Sequence, residues 1–301
     1  MKNLNDLTVI IVTYRTPENI ILDCLKSINS NIKVLVVENS ENFIHEEFIK
    51  SKFSNVEIKC SGKNLGYGGG NNFGLNQIKT NYALILNPDV ICEKNFFNNL
   101  SEIINENYDF TIIGCQYSND KVFMPAGFFN EKKNNKFRDD FKNNNLDKLH
   151  KVEWVTGCSM LINLKKFNTK EIFDENFFLY FEEIDLCKSL IKEEGNVFTS
   201  RKLKIHHLGF KSSVSIDDAE KDDINHVREW HWMWSSFYFY KKNYSYIYAF
   251  YKMFGKLIKS ILRLSLYSIT LQKNKKDKYL FRFLGLINSI LNRPSFFRKK
   301  D

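Results

Sequence analysis

Four short apolar runs, separated by segments of helical spacing, constrain this chain more than any other feature of it. Leu7 to Thr13 (LTVIIVT), Lys33 to Glu38, Val56 to Cys60 and Tyr82 to Leu86 have the length and character of strands. Between the first two, Ile21, Leu22, Leu25 and Ile28 mark one helical face over Glu18 to Ser30. Further helices are predicted over Ile44 to Lys52 and ahead of Tyr82, and Phe110 to Cys115 continues the pattern. Strands alternating with helices imply an α/β fold with a mostly parallel central sheet and right-handed crossovers. Glu131 to His150 breaks the pattern: it is rich in Asn, Lys and Asp and poor in large apolar residues, and is predicted to be a mobile surface loop. Order returns with Val152 to Asn163, a helix from about Phe181 to Glu194, and strands near Val197 and Leu203.

The fourth run ends in Leu86-Asn87-Pro88-Asp89-Val90. Proline cannot donate to a sheet ladder and keeps the residue before it out of the helical region, so the chain turns there. Asp89 is left at the C-terminal edge of the sheet, where ligands bind in open α/β folds. A carboxylate at that edge suits a divalent cation that bridges phosphate oxygens.

Between the third and fourth strands lies Asn64-Leu65-Gly66-Tyr67-Gly68-Gly69-Gly70-Asn71-Asn72-Phe73-Gly74. Glycines let backbone amides approach a phosphate or sugar, and a helix beginning near Gly70 would present its positive end. A dinucleotide fingerprint fails, because its third glycine would fall on Asn71 or Phe73 and because the segment follows the third strand rather than the first. The same broken pattern argues against a dehydrogenase, which an absence of NAD binding would settle.

A third cluster, Phe173 to Cys187, reads FDENFFLYFEEIDLC. Glu182, Glu183 and Asp185 open a helix, whose dipole stabilises negative charge. The aromatics before them supply apolar surroundings that raise a carboxylate toward the range of a general base. Farther on, His206-His207-Leu208-Gly209 follows a strand and offers a histidine to a metal or a phosphate.

The six cysteines are scattered with no C-x-x-C pair, which points to reduced core thiols in a cytosolic protein rather than a disulfide or metal framework. Lys2 to Asp6 is polar, so no signal peptide is predicted, and no apolar stretch reaches the roughly 18 residues of a spanning helix. The net charge of +9 sits in the tail: from Lys241 onward 15 Lys and Arg face 2 Asp, so everything before is net −4. Such asymmetry suggests an anionic partner for the tail. Within Tyr244 to Leu271 the charges are Lys252, Lys256, Lys259 and Arg263, spaced by 4, 3 and 4 on one helical face. Phe250, Phe254, Leu257, Ile258, Ile261 and Leu262 occupy the rest, as in a helix lying in a membrane interface. The basic run Lys273 to Lys278 and the ending Arg298-Lys299-Lys300 would add attraction to anionic lipid. The competing expectation is a helix packed on the catalytic domain or in a dimer.

VIIVTYR, VVENS, KNLGYGGGNNFG, LILNPDV, VTGCSMLI, FDENFFLYFEEIDLC and HHLG stand in an order and spacing that resembles family-two inverting glycosyltransferases, and within them the rhamnosyltransferase-like branch of bacterial surface polysaccharide synthesis. The resemblance implies a GT-A fold over residues 1–240, with 241–301 as a basic helical extension. It also implies a nucleotide-sugar donor, a divalent metal (Mg²⁺ or Mn²⁺), and a glycan or lipid-linked saccharide as acceptor, without nucleic acid. By position, Thr13, Tyr14, Glu38 and Asn39 resemble the nucleobase and ribose contacts, and Asn64, Gly66, Tyr67, Asn71 and Asn72 the donor loop. Asn87 and Asp89 take the place of Asp-x-Asp, with Asp89 at its metal-binding end. Glu183 takes the place of the general base, with Glu182 and Asp185 as rivals, and His206 that of the late metal or phosphate histidine. Asn87 and Glu183 depart from the commoner Asp, which keeps open a non-catalytic nucleotide-sugar-binding protein of the same fold. A lipid-linked acceptor would place the protein at the cytoplasmic face of the inner membrane.

Overall fold

The computed structural model describes residues 4–106, 108–117, 124–143, 148–209 and 218–298. In chain order the elements are β1 (Leu7–Thr13), α1 (Glu18–Lys26), β2 (Lys33–Glu38), α2 (Glu46–Lys52), β3 (Val56–Cys60), α3 (Gly66–Gln77), β4 (Tyr82–Leu86), β5 (Val90–Cys92), α4 (Phe96–Asn105) and β6 (Ile112–Tyr117). There follow β7 (Ala126–Gly127), α5 (Glu131–Lys142), β8 (Leu149–Lys151), β9 (Trp154–Val155), β10 (Ser159–Asn163), α6 (Glu182–Lys192), β11 (Val197–His207), α7 (Asp218–Asn243), α8 (Tyr246–Ile269) and α9 (Lys273–Ile290).

Two compact units divide the chain: Met1–Leu65, Gly69–Phe173 and Leu186–Ser213 in the first, Gly66–Gly68, Asp174–Asp185 and Val214–Asp301 in the second. The expected boundary at residue 240 falls inside α7, which belongs wholly to the second unit.

The first unit is built on a sheet of order β3-β2-β1-β4-β10-β6-β11-β5, with β8 also on β11. β3, β2, β1 and β4 are mutually parallel; β10 runs against both β4 and β6, so β6 and its parallel neighbour β11 share the direction of β1. Central strands covered on both faces need near-continuous apolar sequence, and LTVIIVT is buried along nearly its whole length. At the edge, β3 alternates instead: Val56 and Ile58 point into the core while Glu57 and Lys59 face water and pair with each other. Each fully buried Leu, Ile or Val contributes about 1.5–3 kcal/mol, against about 0–1 for such an exposed ion pair, so the sheet core holds the unit.

Three local expectations are corrected. The segment read as a mobile loop contains α5. Asn130 caps it by accepting a hydrogen bond from the Lys133 amide, and Phe137 anchors it among Phe128, Phe141 and His150. One buried aromatic in so polar a run left no periodic signal; residues 144–147 of that stretch lie outside the described residues. The strands expected near Val197 and Leu203 are one strand, whose register against β6 shifts between Thr199 and Lys204. Helix α3 starts at Gly66, not near Gly70. A Cβ on Gly70 would stand 2.7 Å from Val12 Cγ1, and one on Gly74 2.9 Å from Ile10 Cγ2, so these glycines let the helix lie directly on β1.

In the second unit α7, α8 and α9 pack on one another. Met233, Phe237, Ala249, Met253 and Leu286 form their core. A Cβ at Gly285 would overlap the Trp230 carbonyl oxygen, so α9 crosses α7 at backbone contact there. The end of the chain is stitched down as well: Ser295 Oγ donates to the Asn176 carbonyl (2.7 Å), and the Arg298 guanidinium lies 3.5 Å from the centroid of the Phe178 ring. Lys278 and Arg282 pair with Glu229 of α7, so part of the basic tail is already neutralised. Lys299 and Lys300 lie outside the described residues.

Candidate active site

Parallel strands deliver their C-terminal ends to one edge of the sheet, and the chain reverses its direction of strand addition between β1 and β4, which is where such sheets bind ligands. At the end of β1, Thr13 Oγ1 donates to Glu38 Oε2 (2.7 Å) at the end of β2. Ser40 Oγ (2.7 Å) and the Arg15 amide (3.3 Å) donate to Glu38 Oε1. Glu38 is buried, and three donors onto two carboxylate oxygens fix its plane. Arg15 takes a left-handed backbone, φ 50°, to place its amide there. The neighbouring Asn39 is equally committed: its Oδ1 accepts from Ser61 Oγ (3.0 Å) and the Leu65 amide (3.1 Å), while its Nδ2 donates to Asn64 Oδ1 (3.3 Å). Asn39 thereby ties the ends of β2 and β3 to the approach to α3. Tyr14 is half-buried, with the Arg15 guanidinium 5.5 Å from its ring centre.

On the other side of β1, the Val90 amide donates to the Asn87 carbonyl (3.1 Å), closing a turn over Pro88 and Asp89. The Asn87 amide donates to the Cys158 carbonyl ahead of β10 (2.9 Å). Asp89 is buried, and its carbonyl accepts from the Leu208 amide (2.9 Å), which sets the end of β11 beside it. His207 Nε2 lies 3.4 Å from Asp89 Oδ1, and its ring stacks on Tyr117 at the end of β6. His206, next along a strand of period two, points instead to Glu93 (3.6 Å). The histidine beside Asp89 is therefore His207, and the sequence pattern alone favoured its neighbour.

A divalent cation fits this corner. The Asp89 carboxylate suits Mn²⁺ or Mg²⁺, hard ions that commonly take only one or two protein ligands and complete their shells with phosphate oxygens and water, and the His207 nitrogen is a ligand that Mn²⁺ accepts more readily than Mg²⁺. Among the described residues no group of three or more His, Cys, Asp or Glu comes together to hold a metal by itself. The cysteines among them are free thiols, five of the six buried.

Of the donor-loop residues, Asn71 and Asn72 are buried. Asn72 is spent on structure: its Nδ2 donates to the Phe173 carbonyl (2.9 Å) and its Oδ1 accepts the Phe173 amide (3.0 Å). Asn64 and Tyr67 are half-buried. In the second unit Gly66 has φ +79°, a Cβ there would overlap the Phe178 carbonyl oxygen, and that oxygen accepts from the Tyr67 amide (3.1 Å).

The three acids of α6 separate by environment. Asp185 is buried with a donor on each oxygen: Lys242 Nζ 2.6 Å from Oδ2 and Asn243 Nδ2 2.7 Å from Oδ1. Glu182 is buried, and burial, then the neighbouring Glu183 charge, raises its carboxyl well above the usual carboxylate range. Its Oε1 has no hydrogen-bond partner. Glu183 is half-buried and combines a carboxylate with access. Just before them Tyr180 (φ 71°) and Phe181 (φ 74°) are consecutive left-handed aromatics. Non-glycine residues avoid this region, at a cost of about 1–3 kcal/mol each, and persist there mainly at functional sites. Ser40, Ser61, His207, Lys242 and Asn243 were not singled out from the sequence. Ser40 lies inside VVENS and His207 inside HHLG, whereas Ser61, Lys242 and Asn243 fall in no quoted motif.

Residues 8–169 match the family Glycosyl transferase family 2, more than half of the chain. The chain belongs to that family. It is 28% identical over 205 residues to the low-salt glycan biosynthesis hexosyltransferase Agl10 of Haloferax volcanii, covering 64% of this chain and 64% of that one. It is 24% identical over 210 residues to the rhamnosyltransferase WbbL of Escherichia coli K12, covering 61% of this chain and 76% of that one. The match thus spans less than two thirds of the length of Agl10. Among solved structures, GalNAc-T7 with UDP, GalNAc and Mn2+ superposes with a TM-score of 0.51 at 12% identity, over 78% of this chain and 50% of that one. TarS from S. aureus gives 0.50 at 13% identity, over 95% and 92%. At such identities the likeness is one of fold, a GT-A-like mixed sheet with helices toward the C-terminus.

Proposed function

We propose that the protein is an inverting, divalent-metal-dependent hexosyltransferase of surface polysaccharide synthesis, with rhamnose among its candidate sugars and a glycan or lipid-linked saccharide as acceptor. The observation that carries this reading is the pairing of buried Asp89 with His207 at the edge of the parallel sheet. Asp89 and His207 would hold the metal, whose chemistry is to neutralise charge on a departing nucleoside diphosphate. Glu38, fixed by Thr13, Ser40 and the Arg15 amide, keeps a lone pair on Oε2 to accept a nucleobase N–H. Inversion is one displacement at the anomeric carbon. Glu183 removes the proton from the acceptor hydroxyl, that oxygen bonds to the anomeric carbon, and the bond to the diphosphate oxygen breaks with its electrons. Asp185, occupied by Lys242 and Asn243, is a positioning group for the first turn of α6.

The test is purified full-length protein against a panel of nucleotide sugars, with Mg²⁺ or Mn²⁺, reading nucleoside diphosphate release and the anomeric configuration of the product. Release with inverted product supports the reading. Donor binding without release favours the non-catalytic alternative, and retained configuration rules out the single displacement.

A peripheral place at the cytoplasmic face of the inner membrane belongs to the same proposal. Ala249, Met253, Ser260 and Tyr267 are the buried side of α8. Its opposite side leaves Ile247 (81% exposed), Tyr251 (77%), Leu262 (65%) and Ile269 (81%) open to solvent, with Lys252, Lys256, Lys259 and Arg263 along one flank. No described helix is long and apolar enough to cross a membrane. An apolar face with a cationic border suits a helix lying in the interface plane.

A further inference from the structure

Resting on that reading, we infer that Trp232 of α7, with Tyr180 and Phe181 against its edge, is the platform on which a sugar ring of the acceptor stacks. Trp232 is 41% exposed, unusual for the most costly side chain to leave in water. The Tyr180 ring meets it edge-on at 5.3 Å between centroids, and the Phe181 ring lies at 5.6 Å. Both neighbours are the left-handed residues that precede Glu182 and Glu183, so the strained backbone presents two rings beside the indole directly ahead of the proposed base. Behind Phe181 lies the buried ring of Phe239 (5.3 Å), which backs the platform from the core.

A pyranose ring carries polarised C–H groups on one face and hydroxyls around its rim. The negative face of an aromatic ring attracts the first, and polar groups at the edge must serve the second. Those groups are on hand. The Tyr180 phenol is raised by burial, and it lies in the opposing fields of the Arg228 cation and of the Glu182 and Glu229 carboxylates. Buried Glu182 Oε1 has no hydrogen-bond partner. A polyhydroxylated ring on the exposed indole can hydrogen-bond the half-buried Tyr180 phenol, which a purely apolar occupant such as a lipid chain cannot use.

The experiment uses the full chain and p-nitrophenyl glycosides of glucose, galactose, mannose, N-acetylglucosamine and rhamnose as probes. It reads saturation-transfer NMR in the presence of UDP, GDP or TDP, and transfer rates with whichever nucleotide sugar the wild type hydrolyses. In wild type, saturation is expected on the C–H face of the bound ring. Trp232→Ala is expected to lower kcat/KM for the glycoside at least about fivefold, the lower end of what one stacked ring contributes, with donor KM and donor hydrolysis unchanged. Trp232→Phe, which keeps a flat ring, is expected to recover most of the loss. Unchanged acceptor kinetics in Trp232→Ala overturn the platform, as does a rise confined to donor KM, which would make the stacked ring a nucleobase. Binding of no glycoside by a wild type that still hydrolyses its donor also overturns it. Consumption of no nucleotide sugar at all by the wild type instead defeats the transferase reading beneath it.

Discussion

Lys242 Nζ lies 2.6 Å from Asp185 Oδ2 and joins the last turn of α7 to the first turn of α6. The same ammonium reaches Asp174 Oδ2 at 2.7 Å, and Tyr238 donates to that oxygen from one helical turn earlier. Burial is the strongest single influence on Asp174 and opposes its charge, yet the Lys242 ammonium and the hydrogen bonds from Asn176 together outweigh it and hold the carboxyl below its usual range. For Lys242, burial lowers the ammonium, and the bonds to Asp174 and Asp185 outweigh it and raise it. A depressed carboxylate contributes stability above its unfolded value near 3.9, lost as pH falls through its folded value; a raised lysine contributes below about 10.4, lost as pH rises beyond it. Lys242→Met is therefore expected to destabilise the fold by roughly 1–3 kcal/mol, evenly between about pH 5 and 9, with the gap to wild type closing below about pH 4. Denaturant melts across that range check it, and a gap that widens in acid would contradict the ion-pair account.

Both Asp185 oxygens already hold a donor, from Lys242 and Asn243, and Glu183, half-buried in the same first turn of α6, is the acid proposed as the base. Glu183→Gln is expected to keep donor affinity and lower turnover at least about a hundredfold, the lower end for loss of a general base. Asp185→Asn keeps the shape but weakens two charge-assisted bonds, so its expected effect is lower stability with a smaller loss of rate. A nearly fully active Glu183→Gln beside a dead Asp185→Asn would reverse the assignment.

The sheet was legible because burial on both faces of a central strand forces an unbroken apolar run, and LTVIIVT and LIL have few other uses. The end of β4 at Asn87-Pro88 followed from the same local rules, since proline ends a ladder wherever it falls. What escaped depended on partners distant in sequence. Nothing in HHLG says which histidine meets Asp89; strand pairing decides it, by setting His207 opposite Val90. The role of Gly70 and Gly74 is likewise set by Val12 and Ile10, more than fifty residues away, and looks from the sequence like a ligand-binding loop. Helix α5 hangs on one buried ring, Phe137, in a segment whose composition is that of a solvated loop.

The Asp89–His207 pairing gives a sharper metal prediction than Asp89 alone. Asp89→Ala is expected to remove both most activity and the dependence on added Mn²⁺ or Mg²⁺. His207→Ala is expected to raise the metal concentration needed for half-maximal rate roughly 10- to 100-fold, the range usual for a weakened metal shell, while His206→Ala leaves it near wild type. Metal titrations of the two variants side by side check it. A larger shift for His206→Ala, or full wild-type rate in excess EDTA, would refute this corner as the metal site.

The membrane proposal has to be tested without cutting the chain. A protein ending at Asn243 would lose Ala249, Met253 and Leu286 from the core around Met233 and Phe237, so its failure to bind lipid would report unfolding. Point variants on the open side of α8 avoid this. Tyr251 and Leu262 are 77% and 65% exposed, and Lys252 and Lys259 are exposed on the flank, so replacing them leaves the packed side of the helix intact. Wild type is expected to float with vesicles containing anionic phospholipid at low salt. Tyr251→Ser with Leu262→Ser is expected to weaken binding at any salt through loss of apolar burial. Lys252→Gln with Lys259→Gln is expected to weaken it chiefly at low salt, by about 1 kcal/mol per charge removed. Circular dichroism melts matching wild type confirm that each variant is folded. Flotation of both variants equal to wild type, or none of the wild type at low salt, would remove α8 as a membrane-binding element.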